Sequence, residues 1–156
     1  MAWAGLDGDT TTEAGDLFGY ALAAGATSGG KPYLAIGVPG EAIGDRSDAG
    51  CIHYVQGSTR TTVNQDDPDV PGVAEPNDRS GHSLAATSRY VAVGAPGEAI
   101  GDESFAGALT LFDHALEGGR PTALESRRVT RRLVISAIAP IHRRPEIQRR
   151  SGITRN

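Results

Sequence analysis

The chain is predicted to be all-β, organised as two similar units of short antiparallel strands, on three observations. Its 156 residues include 21 Gly and nine Pro, which calls for many tight turns between short elements. Its apolar runs alternate with a period of two, as half-buried strands do. The string "VPGEAIGDRSDAG" at 38–50 returns as "APGEAIGDESFAG" at 95–107. Apolar residues make up 38% of the chain, with one Trp, three Phe and four Tyr, so a wide compact core is not expected.

The first unit opens with a short apolar strand at Phe18 to Ala23. In "KPYLAIGVPG", Leu34, Ile36 and Val38 alternate with Ala35 and Gly37. That spacing puts bulk on one face and small side chains on the other, where a second sheet can approach closely. Pro39 ends the ladder because it has no N–H to donate. A stretch rich in Gly, Asp and Glu then projects as a hairpin until Ala49-Gly50 restarts the chain into a strand at Cys51 to Gln56, with a weaker one near Thr61 to Gln65.

The second unit repeats the plan with strands at Ser83 to Thr87, in "RYVAVGAPG", and at Ala108 to Asp113. Val91 and Val93 alternate there with Ala92 and Gly94, and Pro96 takes the place of Pro39. An offset of 57 sets Tyr33 on Tyr90, Gly37 on Gly94 and Gly50 on Gly107; upstream, an offset of 62 sets Glu13 to Ala24 on Glu75 to Ala86. The difference is one gap, which removes the counterpart of Ala26 to Gly30. Four strands in each unit of about 60 residues is the arithmetic of a propeller blade or another repeated sheet. One such unit alone cannot bury both of its faces.

Gly15-Asp16-Leu17-Phe18-Gly19, followed by the strand that ends Ile36-Gly37-Val38-Pro39-Gly40-Glu41, resembles the FG-GAP repeat of integrin α-chain propellers and of many bacterial extracellular proteins. The second copy keeps Gly94, Ala95 and Pro96, with Ser80-Gly81 where the first has Phe18-Gly19. The resemblance implies an incomplete β-propeller of about two four-stranded FG-GAP blades: repeat 1 at 7–67, repeat 2 at 68–126, and an irregular, divergent or truncated basic tail at 127–156. Closed propellers have about four to eight blades, so further blades are expected, in cis or by oligomerisation. Members of the family often carry a calcium loop between the FG and GAP elements. Here that stretch, Gly25 to Tyr33, reads "GATSGGKPY", with no carboxylate and with Lys31, and the second unit deletes it. Calcium needs about six to eight oxygen ligands, so neither calcium nor another cofactor is expected.

The remaining candidates are acidic or basic clusters. Glu41, Asp45 and Asp48, with Glu98 and Asp102 in the second unit, sit in the projecting loops and could touch a ligand. A plain hydrated hairpin is the simpler reading of the same residues. Asp66, Asp67 and Asp69 in "NQDDPDVPG", and Asp7 and Asp9, could supply metal ligands, but they read as solvated turns because Asp and Pro are common turn formers. His53, His82, His114 and His142 fall at unlike places in the repeat, and no GxSxG string is present. Cys51 stands alone and reads as a small buried hydrophobe, with no disulfide.

Charge divides the chain. Residues 1–115 hold 5 basic and 16 acidic side chains, whereas 116–156 hold ten Arg against Glu117, Glu125 and Glu146. The tail lacks aromatic interleaving and any nucleic-acid motif, so nucleic acid is not an expected partner. An out-of-frame reading of a third unit would produce such an Arg-rich string; otherwise the tail is expected to be largely disordered. The start "MAWAGLDGDTTTEAGD" shows no export signal, and no run reaches the roughly 18 apolar residues of a spanning helix.

The resemblance therefore implies an extracellular or cell-surface module that binds a protein or carbohydrate ligand, in adhesion for instance, without catalysis. The alternative is the propeller portion of a secreted hydrolase, lipid- or polysaccharide-cleaving, whose catalytic domain is absent from this sequence. Either way, function is expected to reside in rim loops rather than in the sheets.

Overall fold

The computed structural model describes residues 13–68, 70–117 and 120–128. These form eight strands: β1 (Ala21–Ala26), β2 (Pro32–Val38), β3 (Cys51–Gln56), β4 (Thr59–Val63), β5 (Ser83–Ala86), β6 (Tyr90–Ala95), β7 (Ala108–Glu117) and β8 (Arg120–Arg128). They make two four-stranded antiparallel sheets, ordered β1-β2-β3-β4 and β5-β6-β7-β8, so sequence neighbours pair throughout. No helix is present among the described residues. The all-β expectation is met, with one sheet built from strands within 21–63 and the other from strands within 83–128.

Two expected strands move. Phe18 to Tyr20 lies in a turn, and the first strand begins only at Ala21. The reason is the turn itself: Leu17 and Gly19 have φ of 59° and 87°, and the Tyr20 amide donates to Leu17 O at 3.0 Å. The weak strand expected near Thr61 to Gln65 runs instead from Thr59 to Val63, where Gly57 at φ 61° lets the chain reverse. In the second unit β7 runs four residues further than expected, and β8 reaches Arg128, two residues into the segment assigned to the tail. Residues 129–156, His142 among them, and residues 1–12 lie outside the described part.

The repeat extends to backbone angles. Leu17 and Arg79 share φ near 59° and 56°; Asp48 and Phe105 share 53° and 55°; Gly44 and Gly101 share 63° and 61°. Left-handed backbone costs an L-residue roughly 1–2 kcal/mol, so a shared set of such residues marks one template used twice. The loop tips match as well. Ile43 and Arg46 exchange hydrogen bonds of 3.1 and 3.2 Å around Gly44-Asp45, and Ile100 and Glu103 do the same, at the same distances, around Gly101-Asp102. Glycine with positive φ at the first central position is what a two-residue hairpin needs.

The core lies between the sheets. Tyr33, Ala35, Ile52, Tyr54 and Val63 of the first sheet meet Val91, Val93 and Phe112 of the second, with Leu84 and Ala86 packed against them. The small face of β2 is therefore the face that receives the neighbour, and the bulky face of β6 is what it receives. Closest approach occurs at Gly37, where a Cβ would fall on the carbonyl oxygen of Gly81. Backbone bonds stitch the same seam: Asn77, Arg79 and Ser80 donate to the carbonyls of Ser47, Asp48 and Ala49, each at 2.9 Å. The return of the first projecting loop thus pairs in parallel with the lead-in to the second unit.

The glycines of the GAP-like strings have different neighbours. At Gly94 a Cβ would meet not another sheet but Ser83 Oγ of the adjoining strand. Gly40 and Gly97 share one role: a Cβ on either would fall on the carbonyl of Gly15 or Asn77, and their amides donate to Asp16 O at 3.1 Å and Asp78 O at 3.0 Å. Val38 and Pro39 are fully buried, Ala95 nearly so and Pro96 exposed.

Candidate functional site

The projecting loops leave β2 and β6 at their C-terminal ends, on one rim of the molecule. Their acidic residues divide. Asp45 and Asp102 are exposed at the tips and Asp48 is half-buried, but Glu41 and Glu98 are turned inward, 5% and 2% exposed. All five lie in the projecting loops, as read from the sequence, but Glu41 and Glu98 sit at the buried loop bases. The cause is loop closure: Gly50 and Gly107 donate to the carbonyls of Glu41 and Glu98 at 2.9 Å, which draws both glutamates to the loop base. Glu98 accepts from Gln65 Nε2 at 2.7 Å, so it ties the second loop to the turn after β4.

That turn is the acidic string at 64–72. Asp67 Oδ2 accepts from the Asn64 amide at 2.9 Å, Asp66 Oδ1 accepts from the Ala74 amide at 2.9 Å, and Asp66 also pairs with Arg46. Two of the three carboxylates are thus occupied in holding backbone; Asp69 lies outside the described residues. The conserved-looking Asp of each lead-in does similar work. Asp16 and Asp78 cap the amides of Glu13 and Glu75, both at 2.6 Å.

The opposite rim carries a cleft of about 890 Å3, and it straddles the two sheets. Its walls are hairpins: Thr27 to Lys31 between β1 and β2, Gly57-Ser58 between β3 and β4, and Ser88-Arg89 between β5 and β6. The first of these lies within Gly25 to Tyr33, the stretch that the sequence reading singled out for its lack of carboxylates. Here it closes on itself, with Thr27 N donating to Lys31 O at 2.8 Å, Gly30 N to Thr27 O at 2.8 Å and Lys31 N to Thr27 Oγ1 at 3.2 Å. A hairpin that offers hydroxyls, carbonyls and an ammonium group, with no carboxylate, does not fit a calcium ion. It instead reaches the second unit, where the Ser28 amide donates to Ser88 O at 2.8 Å.

Beneath the cleft lies a buried polar network. Thr87 O accepts from Tyr33 Oη at 3.0 Å and from His114 Nε2 at 2.9 Å. A carbonyl can only accept, so Nε2 carries the imidazole proton and Nδ1 is left to accept from Tyr54 Oη at 2.7 Å. Tyr54 Oη accepts in turn from Gln56 Nε2 at 3.1 Å, and burial pushes its phenol above the usual tyrosine range. The Tyr33 ring lies 4.1 Å from that of His114 and stacks 6.2 Å from Tyr54. This network fixes the floor while Lys31, Arg89, Ser28, Ser58 and Thr59 face the open space. Arg89 lies over Tyr90 at 5.1 Å and 3.9 Å from Asp113.

Sequence reading missed this cleft. Lys31 was noticed only as an argument against calcium, and Arg89 and His114 carried no motif. The other described histidines are held separately: His53 is buried, with Nδ1 at 3.0 Å from Thr62 Oγ1 and its ring 5.3 Å from Phe18, and His82 lies 4.7 Å from Tyr20. Desolvation lowers the pKa of His53, and burial together with the nearby Glu41 and Asp16 carboxylates raises that of Cys51. Among the described residues no helix is long and apolar enough to cross a membrane. Compared with models of known families and with characterised proteins, the chain finds no match.

Proposed function

We propose that the chain forms two blades of an FG-GAP-type, integrin-α-like propeller and acts, outside the cell or at its surface, as a non-catalytic module that binds a protein or carbohydrate ligand. The observation that carries this reading is the polar cleft across the two sheets. Its volume falls within the roughly 300–1,000 Å3 of ordinary ligand sites. Its walls are hairpins with short, fixed hydrogen bonds, so a ligand need not order them first. Hydroxyls of Thr27, Ser28, Ser58 and Thr59 suit the hydroxyls of a sugar or a peptide backbone, and Lys31 with Arg89 favours a carboxylate on it.

The test is calorimetric titration of the whole chain with neutral oligosaccharides, uronic-acid oligosaccharides and acidic peptides. A carboxylate-bearing ligand is expected to bind, and Lys31→Ala with Arg89→Ala to weaken it by about tenfold or more. Absence of binding by all three classes, or binding indifferent to both substitutions, overturns the proposal.

A further inference from the structure

We propose that the chain carries a second binding site, for one ring of a neutral sugar, on the rim of the projecting loops where the two units meet. It goes beyond the cleft of Lys31 and Arg89 and does not rest on that reading. A cleft of about 380 Å3 lies there, bordered by Leu17 and Tyr20 of the first lead-in, Asp48 of the first loop, and Arg79 and His82 of the second lead-in.

One turn, used twice, brings a ring to this space from each unit. The Tyr20 amide donates to Leu17 O at 3.0 Å and the His82 amide to Arg79 O at 3.1 Å, with Leu17 and Arg79 at φ of 59° and 56°. The two rings come within 4.7 Å at a tilt of 44°, and Tyr20 remains 54% exposed. The Arg79 amide also donates to Asp48 O at 2.9 Å, which sets residues of opposite charge beside the same cleft. Among the described residues neither of these two side chains makes a hydrogen bond or an ion pair, so both keep their full bonding capacity for a ligand. Gly15 borders the cleft as well, and a Cβ there would meet nothing within 4 Å.

A pyranose presents a face of C–H groups and an edge of hydroxyls. The electron-rich face of an aromatic ring such as Tyr20 attracts the first. For the second, a carboxylate accepts from hydroxyls and a guanidinium donates to their oxygens, both in charge-assisted bonds. The charges of Asp48 and Arg79 cancel, so an ionic ligand that gains at one is repelled by the other, whereas neighbouring hydroxyls use both. The site is also built in advance. Backbone bonds of 2.9 to 3.1 Å already hold the turns of Leu17, Asp48 and Arg79, all three at left-handed angles, so a ligand need not order them.

The test is an amide-shift titration of the whole nitrogen-15-labelled chain by nuclear magnetic resonance. The probes are the methyl glycosides of glucose, galactose, mannose and N-acetylglucosamine at millimolar concentrations, with zwitterionic leucine as the competing class. At least one glycoside should move the amides of Leu17, Tyr20, Asp48, Arg79 and His82 and leave those of Thr27 to Lys31 and Ser88-Arg89 still, which separates this site from the other cleft. Tyr20→Ala should weaken that binding by about tenfold, and Tyr20→Phe, which keeps the ring face, by no more than about twofold. Asp48→Asn should cost about tenfold as well, and asparagine accepts the left-handed angle of Asp48, so the fold is expected to survive; a thermal melt checks each variant. Four results overturn the proposal: no glycoside moves these amides, the shifts fall on the Lys31 and Arg89 cleft instead, leucine binds here and the glycosides do not, or Tyr20→Phe loses as much as Tyr20→Ala.

Discussion

Replacing Gly37 with Ala tests the seam directly. The new methyl would fall on the carbonyl oxygen of Gly81, and its next neighbours are Gly81 C and the Ala21 methyl. A backbone carbonyl in a seam stitched by three 2.9 Å bonds cannot rotate away, so the two sheets must part locally. Overpacking of this kind costs about 1–3 kcal/mol, and loosening the Tyr33, Ala35, Val91 and Val93 contacts adds to it. Against this stands the lower entropy of the unfolded Ala chain, worth about 0.4–1 kcal/mol. The net expectation is a loss of about 2 kcal/mol, or roughly 6 °C in Tm for a chain of this size.

Gly94 supplies the control, since it holds the same place in the repeat. A methyl there meets Ser83 Oγ, the end of a short side chain that can change rotamer. The rotamer cost and the unfolded-state gain are then comparable, and Gly94→Ala should lie within about 1 kcal/mol of the parent. Adding Ser83→Ala should improve Gly94→Ala and leave Gly37→Ala unchanged. Urea unfolding followed by circular dichroism measures all four chains. Equal losses at Gly37 and Gly94 would refute the claim that only the first glycine marks sheet-to-sheet contact.

Other outcomes are expected from the same physics. Tyr54→Phe leaves His114 Nδ1 and Gln56 Nε2 without a buried partner and should cost about 1–3 kcal/mol in urea unfolding, with Tyr33→Phe costing less because Thr87 O keeps the His114 bond. His53 is held neutral by burial, so its pKa is lower folded than unfolded: stability is whole above pH 6.5 and falls as the pH drops below it, by at most about 1.4 kcal/mol per pH unit. Unfolding measured between pH 5 and 6.5 should lose that slope in His53→Gln. Calcium at millimolar excess, or its removal by chelation, should leave Tm unchanged, because the hairpin Thr27 to Lys31 offers no carboxylate; a rise in Tm with calcium would locate ligands elsewhere.

Strand identity was legible because it is a local property. The alternation of Leu34, Ile36 and Val38 with Ala35 and Gly37 places β2 without reference to anything distant. The two offsets placed the second unit, and the gap between them falls in the hairpin between the first two strands of each unit. Cys51 was read as a buried hydrophobe and is fully buried. The failures have equally physical causes. Glu41 and Glu98 read in the sequence only as members of the projecting loops, but closure by Gly50 and Gly107 turns them to the base, and Gln65, 33 residues away, donates to Glu98. Leu17 and Phe105 show nothing in sequence to announce left-handed backbone, a conformation more often left to glycine or asparagine.

By itself, then, the amino-acid order determined two copies of one strand plan and the turns that separate most of the strands, since hydrophobic period and turn chemistry act over a few residues. Only the tertiary structure decided which face of each sheet meets the other, and with it the cleft of Lys31 and Arg89 and the network on Thr87. Those depend on residues tens of positions apart coming within hydrogen-bond or van der Waals reach, which no local pattern encodes.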